Sequence, residues 1–535
     1  MTTRRDLLRL GLPVLLAGCG GGGGSVPSPA PGPGPAPVPP PGPASAPAPT
    51  PVSGPPLWSG YAGSAQHQAL SGVASQALTR ILWTTPVDLF PPYRSGGSLL
   101  IHYGSPAITA TGTVLLPVRT TSTNSFRVEA RVGATGALLW QQDSAYVLPT
   151  SSWTPSCNLA VDANNRVYFP ESGGRLLRRD AADNATGTVA RLCFYGDSLY
   201  TSYAAELDSA IRICTPLTVG SDGAVYFGYL AASGNSASIV SGFARIAADG
   251  TAQWVIALNL TGTGIGRPAL NAAPALSLDG RTLYVAINTA PDLNGMQNGW
   301  LVALDAATLN FKARQALLEP LGGLPAYVAD SSTASPMVGP DGDVYYGVLD
   351  PVRSDHNSRG WLLHFDAALS LSKTPGSFGW DDTPSVVPAG MVTSYSGSSS
   401  YLLLSKYNNY YGAGSGDGQN KMAVLDPNVA QTDFISPAVQ VMKEVLTILG
   451  PTTDTTVPSG VREWCVNTAV VDPATASVLM NNEDGVLYRW DLRSNTLSQS
   501  VRLNSGIGQA YTPTVIGRDG IVYAINNATL NAVGA

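Results

Sequence analysis

From about residue 106 onward the apolar positions come in short runs, and a small set of turn residues separates them. Thr215-Pro216-Leu217-Thr218-Val219 leads through Ser221-Asp222-Gly223 to Ala224-Val225-Tyr226-Phe227. The same phrase returns at Ala273-Pro274-Ala275-Leu276 with Asp279-Gly280, and at Ser335-Pro336-Met337-Val338 with Asp341-Gly342. It returns again at Thr512-Pro513-Thr514-Val515 with Asp519-Gly520. Each copy reads as strand, tight turn, strand. β-Branched and aromatic residues suit a pleated surface, and Asp-Gly accepts the positive φ of a tight hairpin. Weaker copies begin at Pro106 and Asn158, and near Pro384 and Thr468.

A second phrase follows several of these: Leu301-Val302-Ala303-Leu304-Asp305, Leu362-Leu363-His364-Phe365-Asp366 and Met422-Ala423-Val424-Leu425-Asp426. It reads as a third strand ending in a turn, with a fourth to follow. Eight such units start near 106, 158, 216, 274, 336, 384, 468 and 513. The eighth has its hairpin and a third strand, Ala528–Val533, before the sequence stops. Ile81-Leu82-Trp83-Thr84-Thr85-Pro86 is an orphan strand of fourth-strand type; compare Leu138-Leu139-Trp140. If it completes the last unit, the repeats close into a ring and no strand edge is left at the seam. Four-stranded units repeated radially predict an all-β, eight-bladed β-propeller over residues 57–535, with its last blade closed by an N-terminal strand. A linear β-solenoid is the rival, and the orphan strand argues for closure.

The first 56 residues are of another kind. Arg4 and Arg5 precede an apolar run from about Leu7 to Ala17. That is too short to cross a bilayer, which takes roughly 20 residues, and it reads as an export signal. Leu16-Ala17-Gly18-Cys19 resembles the lipobox of bacterial lipoproteins, which implies acylation of Cys19 and a signal peptide over 1–19. Thr3-Arg4-Arg5-Asp6-Leu7-Leu8-Arg9 also resembles a twin-arginine signal. Gly rather than Asp after Cys19 resembles sorting to the bacterial outer membrane, with the protein facing the periplasm or the cell surface. Residues 20–56 read as a disordered stalk: five glycines, then 15 of the 42 prolines between Val26 and Pro56. Such chain favours extended polyproline II and reaches at most about 100 Å.

Composition narrows the partners. Only 12% of residues are charged and the formal net charge is −6, so no basic patch points to nucleic acid. Beyond Cys19 the cysteines are Cys157, Cys193, Cys214 and Cys465. In an exported chain an even number suggests disulfides. Cys193 with Cys214 is the first pairing to consider, Cys157 with Cys214 the second, and buried free thiols the alternative.

The opening segment Trp58-Ser59-Gly60-Tyr61-Ala62-Gly63-Ser64-Ala65-Gln66-His67 resembles that of PQQ-repeat β-propellers. Ala130, Gly136 and Trp140 match that family's blade motif, as do Ala244, Gly250 and Trp254. The resemblance implies that such tryptophans, with Trp83 at the seam, pack between neighbouring blades. It also brings two functions into view. Quinoprotein dehydrogenases hold pyrroloquinoline quinone (PQQ) and calcium over the channel, with a carboxylate base beside them. BamB-type outer-membrane assembly lipoproteins dock a partner protein instead.

In an up-and-down blade the strand 1–2 and 3–4 turns share one face, and the 2–3 and blade-to-blade connections share the other. Here the first set is short and the second long, so the long-loop face is the expected binding surface. Its aromatic and polar residues, Arg353, His356, Trp361, Trp380, Asp381, Asp382, Tyr407, Tyr410 and Tyr411, are the candidate binding set. Ser436-Pro437, Gly450-Pro451 and the spacing of Val441, Val445, Ile448 and Leu449 predict a short helix over 437–449 on that face. No metalloprotease, haem or nucleophile-elbow motif occurs, and His67, His102, His356 and His364 stand apart. No catalytic or metal-ligating set emerges. The expectation is therefore a monomeric, lipid-anchored envelope propeller that binds a protein or polysaccharide. A PQQ- and calcium-dependent dehydrogenase of alcohols or sugars is the alternative.

Overall fold

A computed structural model describes residues 54–93, 99, 101–122, 125–149, 158–291, 297–505 and 512–535. Cys19, the signal peptide, almost all of the stalk and Cys157 lie outside the described residues.

Eight antiparallel sheets are present among the described residues; six begin where the repeat places them, and the third and fourth carry an extra short strand, Ile211–Ile213 and Arg267–Pro268, just before it. Blade 1 is Ala107–Ile108, Thr113–Arg119, Phe126–Val132 and Leu138–Ser144, hydrogen-bonded in sequence order. The inner strands are two to four residues long and buried except at Arg212, Arg267 and Pro388, which are half-buried. The outer strands alternate; Thr496–Arg502 switches between exposed and half-buried at every residue. This radial gradient is why the inner strands read as continuous apolar runs and the outer ones as period-two patterns. In the tight 1–2 turns Gly280 and Gly342 sit at φ 69° and 91°, and Asn165 takes the same left-handed position in blade 2.

The ring closes as expected. Strand Arg80–Pro86 pairs antiparallel with Thr529–Gly534 and completes the sheet of Val515–Ile516 and Val522–Asn526. Trp83 then ties blade 8 to blade 1: its Nε1 donates to Gly133 O at 2.8 Å. Trp140 does the same between blades 1 and 2, donating to Ala182 O at 2.7 Å under the Arg179 guanidinium. Trp254 does not; it is 39% exposed. The matching carbonyl in blade 4, Ala306 O, accepts from Tyr226 Oη at 3.0 Å instead, and Tyr284 makes the equivalent bond to Ala367 O. A buried tyrosine from the second strand has replaced the tryptophan tie.

Three features depart from the sequence reading. Blade 5 has a ladder of only three strands, Met337–Val338, Val344–Val348 and Trp361–Phe365. A helix, α1 (Asp197–Ala210), occupies the blade 2–3 connection, which had read as loop. The expected helix over 437–449 is instead the strand Gln440–Leu449, paired along the twelve-residue strand Lys421–Thr432. Local capping signals lost to a long partner strand and to β-branched Val441, Val445, Thr447 and Ile448. The tip of this hairpin crosses to blade 5. Met442 N donates to Pro375 O, and Val439 and Val441 join the core of Trp361, Leu363 and Phe365.

Candidate functional site at the propeller axis

The chain enters the channel first and the blades close around it. Gly54 N donates to Ala163 O, beside the 1–2 turn of blade 2, so residue 54 lies at the short-turn end. Trp58 then bridges Ile108 of blade 1, and Ser59 O accepts from Val161 N of blade 2. Ala65, Gln66, Gln68 and Ala69 carbonyls accept from Leu276, Val338, Val386 and Val471 of blades 4 to 7, at 2.8–2.9 Å. The segment from Trp58 to Ala69 is therefore a plug stitched by backbone bonds to six inner strands. His67 lies within it, with Nδ1 2.7 Å from Pro336 O, and burial holds its pKa down to about 4.

Tyr61 forms the plug's other face. Its Oη donates to Thr333 O at 2.9 Å and lies 3.0 Å from Thr383 Oγ1. Above it is a chamber of about 10 Å³, lined by Tyr61, His102, Tyr103, Ser105, Asn158, Asn271, Thr333 and Asn467. Most of these residues come just before the first strand of a blade, so they ring the axis at its long-loop end.

An ionisable group converges there. Asp381 is fully buried and sits at φ 53°, a left-handed conformation held by Thr333, whose N and Oγ1 donate to Oδ1 at 2.9 and 3.0 Å. Asp381 Oδ2 lies 3.7 Å from Lys406 Nζ and 3.8 Å from His102 Nε2. His102 and Lys406 are buried as well. Asp382 turns away toward blade 6, accepting from Ser405 Oγ at 2.7 Å and Lys406 N at 3.3 Å. Burial raises its pKa to about 7, against the pull of Lys406. The adjacent carboxylates thus do separate work: one faces the axis, and the other anchors the blade beside it. His102 and Lys406 were missed in the sequence. Lys406 had one legible signal, the lone cation in the mostly apolar, fully buried strand Tyr401–Tyr407.

The remaining candidate residues form a second cluster, between blades 5 and 6, and most of them are inside it. Trp361 donates from Nε1 to Asp350 Oδ2 at 3.0 Å and stacks on His356 at 3.8 Å. His356 Nε2 lies 3.1 Å from Asp433 Oδ2 at the hairpin tip. Tyr407 stacks on Phe378, and Trp380 and Tyr410 are buried. Of the nine, only Tyr411, 37% exposed, and Arg353, half-buried over the Tyr327 ring, reach solvent. His364 is held by Asp343 at 2.8 Å within its strand. Neither proposed disulfide forms: Cys193 and Cys214 are free thiols, and burial raises both pKa values. Cys193 is half-buried, with Sγ 3.5 Å from Gly196 O, while Cys214 is fully buried in its blade.

No family model matches the chain, and no curated protein sequence does. Solved structures do. A europium-containing methanol dehydrogenase is similar with a TM-score of 0.51 and 11% identity, over 88% of this chain and 89% of the other. Quinohemoprotein alcohol dehydrogenase from Comamonas testosteroni is similar with a TM-score of 0.51 and 12% identity, over 90% of this chain and 77% of the other. The fold is shared with these two dehydrogenases. BamB from Moraxella catarrhalis also overlaps, with a TM-score of 0.44 and 12% identity, over 85% of this chain and 97% of its own.

The fold raises the question of a quinone and its metal. The residues at the axis do not fit them. The chamber has room for a water-sized group, far less than a tricyclic quinone fills, although Tyr61 and Tyr103 stand in its lining. Among the described residues no group of three or more His, Cys, Asp or Glu side chains is placed to hold a cation.

Proposed function

We propose that this is an outer-membrane lipoprotein, anchored through Cys19 and tethered by residues 20–56, whose propeller binds a protein or glycan partner through its long-loop face. One observation carries the reading: the two ends of the propeller differ. The short-turn end receives the chain at Gly54 and is filled by the plug. The long-loop end carries α1, the long connections and most of the exposed large apolar side chains. Phe90, Tyr93, Tyr203, Ile265, Leu321 and Tyr411 are among these, each 37–56% exposed. Exposed apolar groups on rigidly held connections are a recognition surface. The chain joins the propeller at Gly54, at the end opposite that surface.

The test is capture of the partner from envelope extract with Ile265→Asp and Tyr411→Asp on the long-loop face, beside Leu278→Asp on the short-turn face. The first two should lose the partner and the third should keep it. The reverse pattern would overturn the assignment of faces.

A second reading, an alcohol- or sugar-oxidising enzyme, has one observation in its favour. His102, Asp381 and Lys406 converge at the axis, as acid–base chemistry requires. Titration with PQQ and calcium discriminates. Stoichiometric tight binding would make this the enzyme; its absence leaves the axial cluster as an internal brace for the binding face.

A further inference from the structure

We propose that the cleft between blades 4 and 5 is a docking site for an extended segment of a partner protein, one that carries a large apolar side chain next to a carboxylate. The proposal rests on the partner-binding reading and names where and how the partner is held.

The cleft exists because blade 5 is narrow. Its ladder stops at Trp361–Phe365, and the position of a fourth strand is taken by residues 372–376, which bridge inward at Phe365–Ser372 and Leu362–Gly376 and accept at Pro375 O from Met442 N of the crossing hairpin. The outer strand of blade 4, Phe311–Ala316, is the last strand of its own sheet and stands beside this gap. Between them lies a cavity of about 260 Å³.

Its walls select the occupant. Leu318, Pro320, Leu363, Phe365 and Pro375 make an apolar floor. Leu318 is 41% exposed, and Leu321 and Leu324 on the same connection are 49% and 51% exposed, so the apolar surface continues out of the cleft. The volume suits one large side chain with its backbone rather than a drug-sized molecule, which takes roughly 300–1,000 Å³. An outer strand with a free edge accepts an extended chain, main chain giving affinity and the pocket giving specificity.

Charge supplies the second selection. Glu319, the acidic residue of the lining, is already satisfied: its carboxylate accepts from the backbone N of Leu321, Gly322 and Leu324. The cation of the lining is Lys373, whose side chain is 40% exposed. It is paired with Asp343, which also holds His364 Nε2. An ammonium has three donors, so the Lys373 head still has N–H groups to offer a carboxylate.

The experiment uses the full mature chain and a panel of fluorescein-labelled eight-residue peptides, Gly-Ser-Thr-X-Z-Thr-Ser-Gly. X is Phe, Leu, Met or Ser and Z is Glu, Ser or Lys, and binding is read by fluorescence anisotropy. Peptides with an apolar X and Z as Glu should bind saturably, and those with X as Ser should not. Ala316→Trp, at an exposed position, fills the cleft and should weaken binding by at least about tenfold. Ser372→Trp fills it from the other wall and should act alike. Lys373→Met should abolish the preference for Glu over Lys, while Leu278→Asp changes nothing. Thermal melts confirm that each variant is folded. No saturable binding across the panel, or equal binding to both cleft-filled variants, overturns the proposal. If envelope capture is lost in Tyr411→Asp but retained in Ala316→Trp, the cleft proposal fails while the long-loop reading stands.

Discussion

Gly136 and Gly250 hold the same place in two copies of one motif, and the structure gives them different fates. Both have a left-handed backbone, φ 72° and 92°. A Cβ at Gly250 meets nothing within 4 Å. A Cβ at Gly136 would lie 2.6–2.9 Å from the Trp83 ring, which closes blade 8 against blade 1. Alanine at either site incurs the left-handed penalty, about 1–2 kcal/mol. Alanine at Gly136 also forces Trp83 off its seat, an overpacking cost of about 1–3 kcal/mol. Gly250→Ala should therefore be milder than Gly136→Ala by about 1–3 kcal/mol. Trp83 cannot give way freely, because its Nε1 is held by Gly133 O and its ring lies 5.7 Å from that of Tyr523. The assay is guanidinium unfolding followed by tryptophan fluorescence, with both variants beside the parent chain. In addition, Gly136→Ala should speed hydrogen exchange in Arg80–Pro86, where the ring closes. If the two variants are equally destabilised, Trp83 is not packed on that turn and the seam geometry is wrong.

Other predictions concern charge, thiols and the crossing hairpin. Asp382 is held at about 7 by burial, against roughly 3.9 in an unfolded chain. The folded state keeps a proton there that the unfolded chain has lost. Stability present below about pH 4 should thus decline toward pH 7, by at most about 1.4 kcal/mol per pH unit. Asp382→Asn should remove that decline in urea midpoints measured across the interval, and an unchanged slope would count against the assignment. Iodoacetamide should label half-buried Cys193 in the native chain and leave buried Cys214 until unfolding; a Cys193–Cys214 cross-link in non-reducing peptide maps would refute this. Asp433 takes His356, Ser377 and the backbone N of Ile435 and Ser436. Asp433→Ala strands several buried donors, so a loss of about 2–4 kcal/mol and faster exchange in residues 433–439 should follow. Trp58→Ala empties the plug at a 1% exposed site and should lower stability by about 3–5 kcal/mol in the same unfolding assay; a loss below 1 kcal/mol would mean that the plug is not part of the core.

Where the fold was legible, the information was local. Asp279-Gly280 and Asp341-Gly342 announce their own turns, and the strands on either side carry their own pleat pattern. Closure by Arg80–Pro86 was legible because the orphan strand copies Leu138-Leu139-Trp140 and the last blade lacks a fourth strand. What depends on distant partners was not legible. Gln440–Leu449 carries helix-like caps, yet its partner Lys421–Thr432 decides its state. The α1 helix lacks a clear apolar stripe, and only Leu207 is buried, so its sequence resembles a polar loop. The candidate aromatic residues failed for a related reason. Sequence places Trp361, Trp380, Tyr407 and Tyr410 in connections, but only the fold shows that the connections of blades 5 and 6 pack on one another.

The axial cluster shows why a site of this kind hides from a sequence. Asp381 comes from the blade 5–6 connection, Lys406 from the second strand of blade 6, and His102 from the segment before blade 1. Thr333, which fixes Asp381, comes from the blade 4–5 connection, and Tyr61 comes from the plug. No two of the three ionisable groups share a motif. They meet because eight inner strands end on one axis, and because the chain that would otherwise leave an open channel folds back to close it. A buried carboxylate, ammonium and imidazole at such a junction carry a desolvation penalty that only accurate placement offsets. That placement depends on the same ring closure that Trp83 secures and on the same plug that Trp58 fills. Perturbing the seam should therefore disturb the axis: in Gly136→Ala, the His102 ring resonances should shift by NMR relative to the parent chain. If His102 is indifferent to the seam, the cluster is held by the plug alone, and the seven backbone bonds from Trp58 to Ala69 are the element on which the binding face is built.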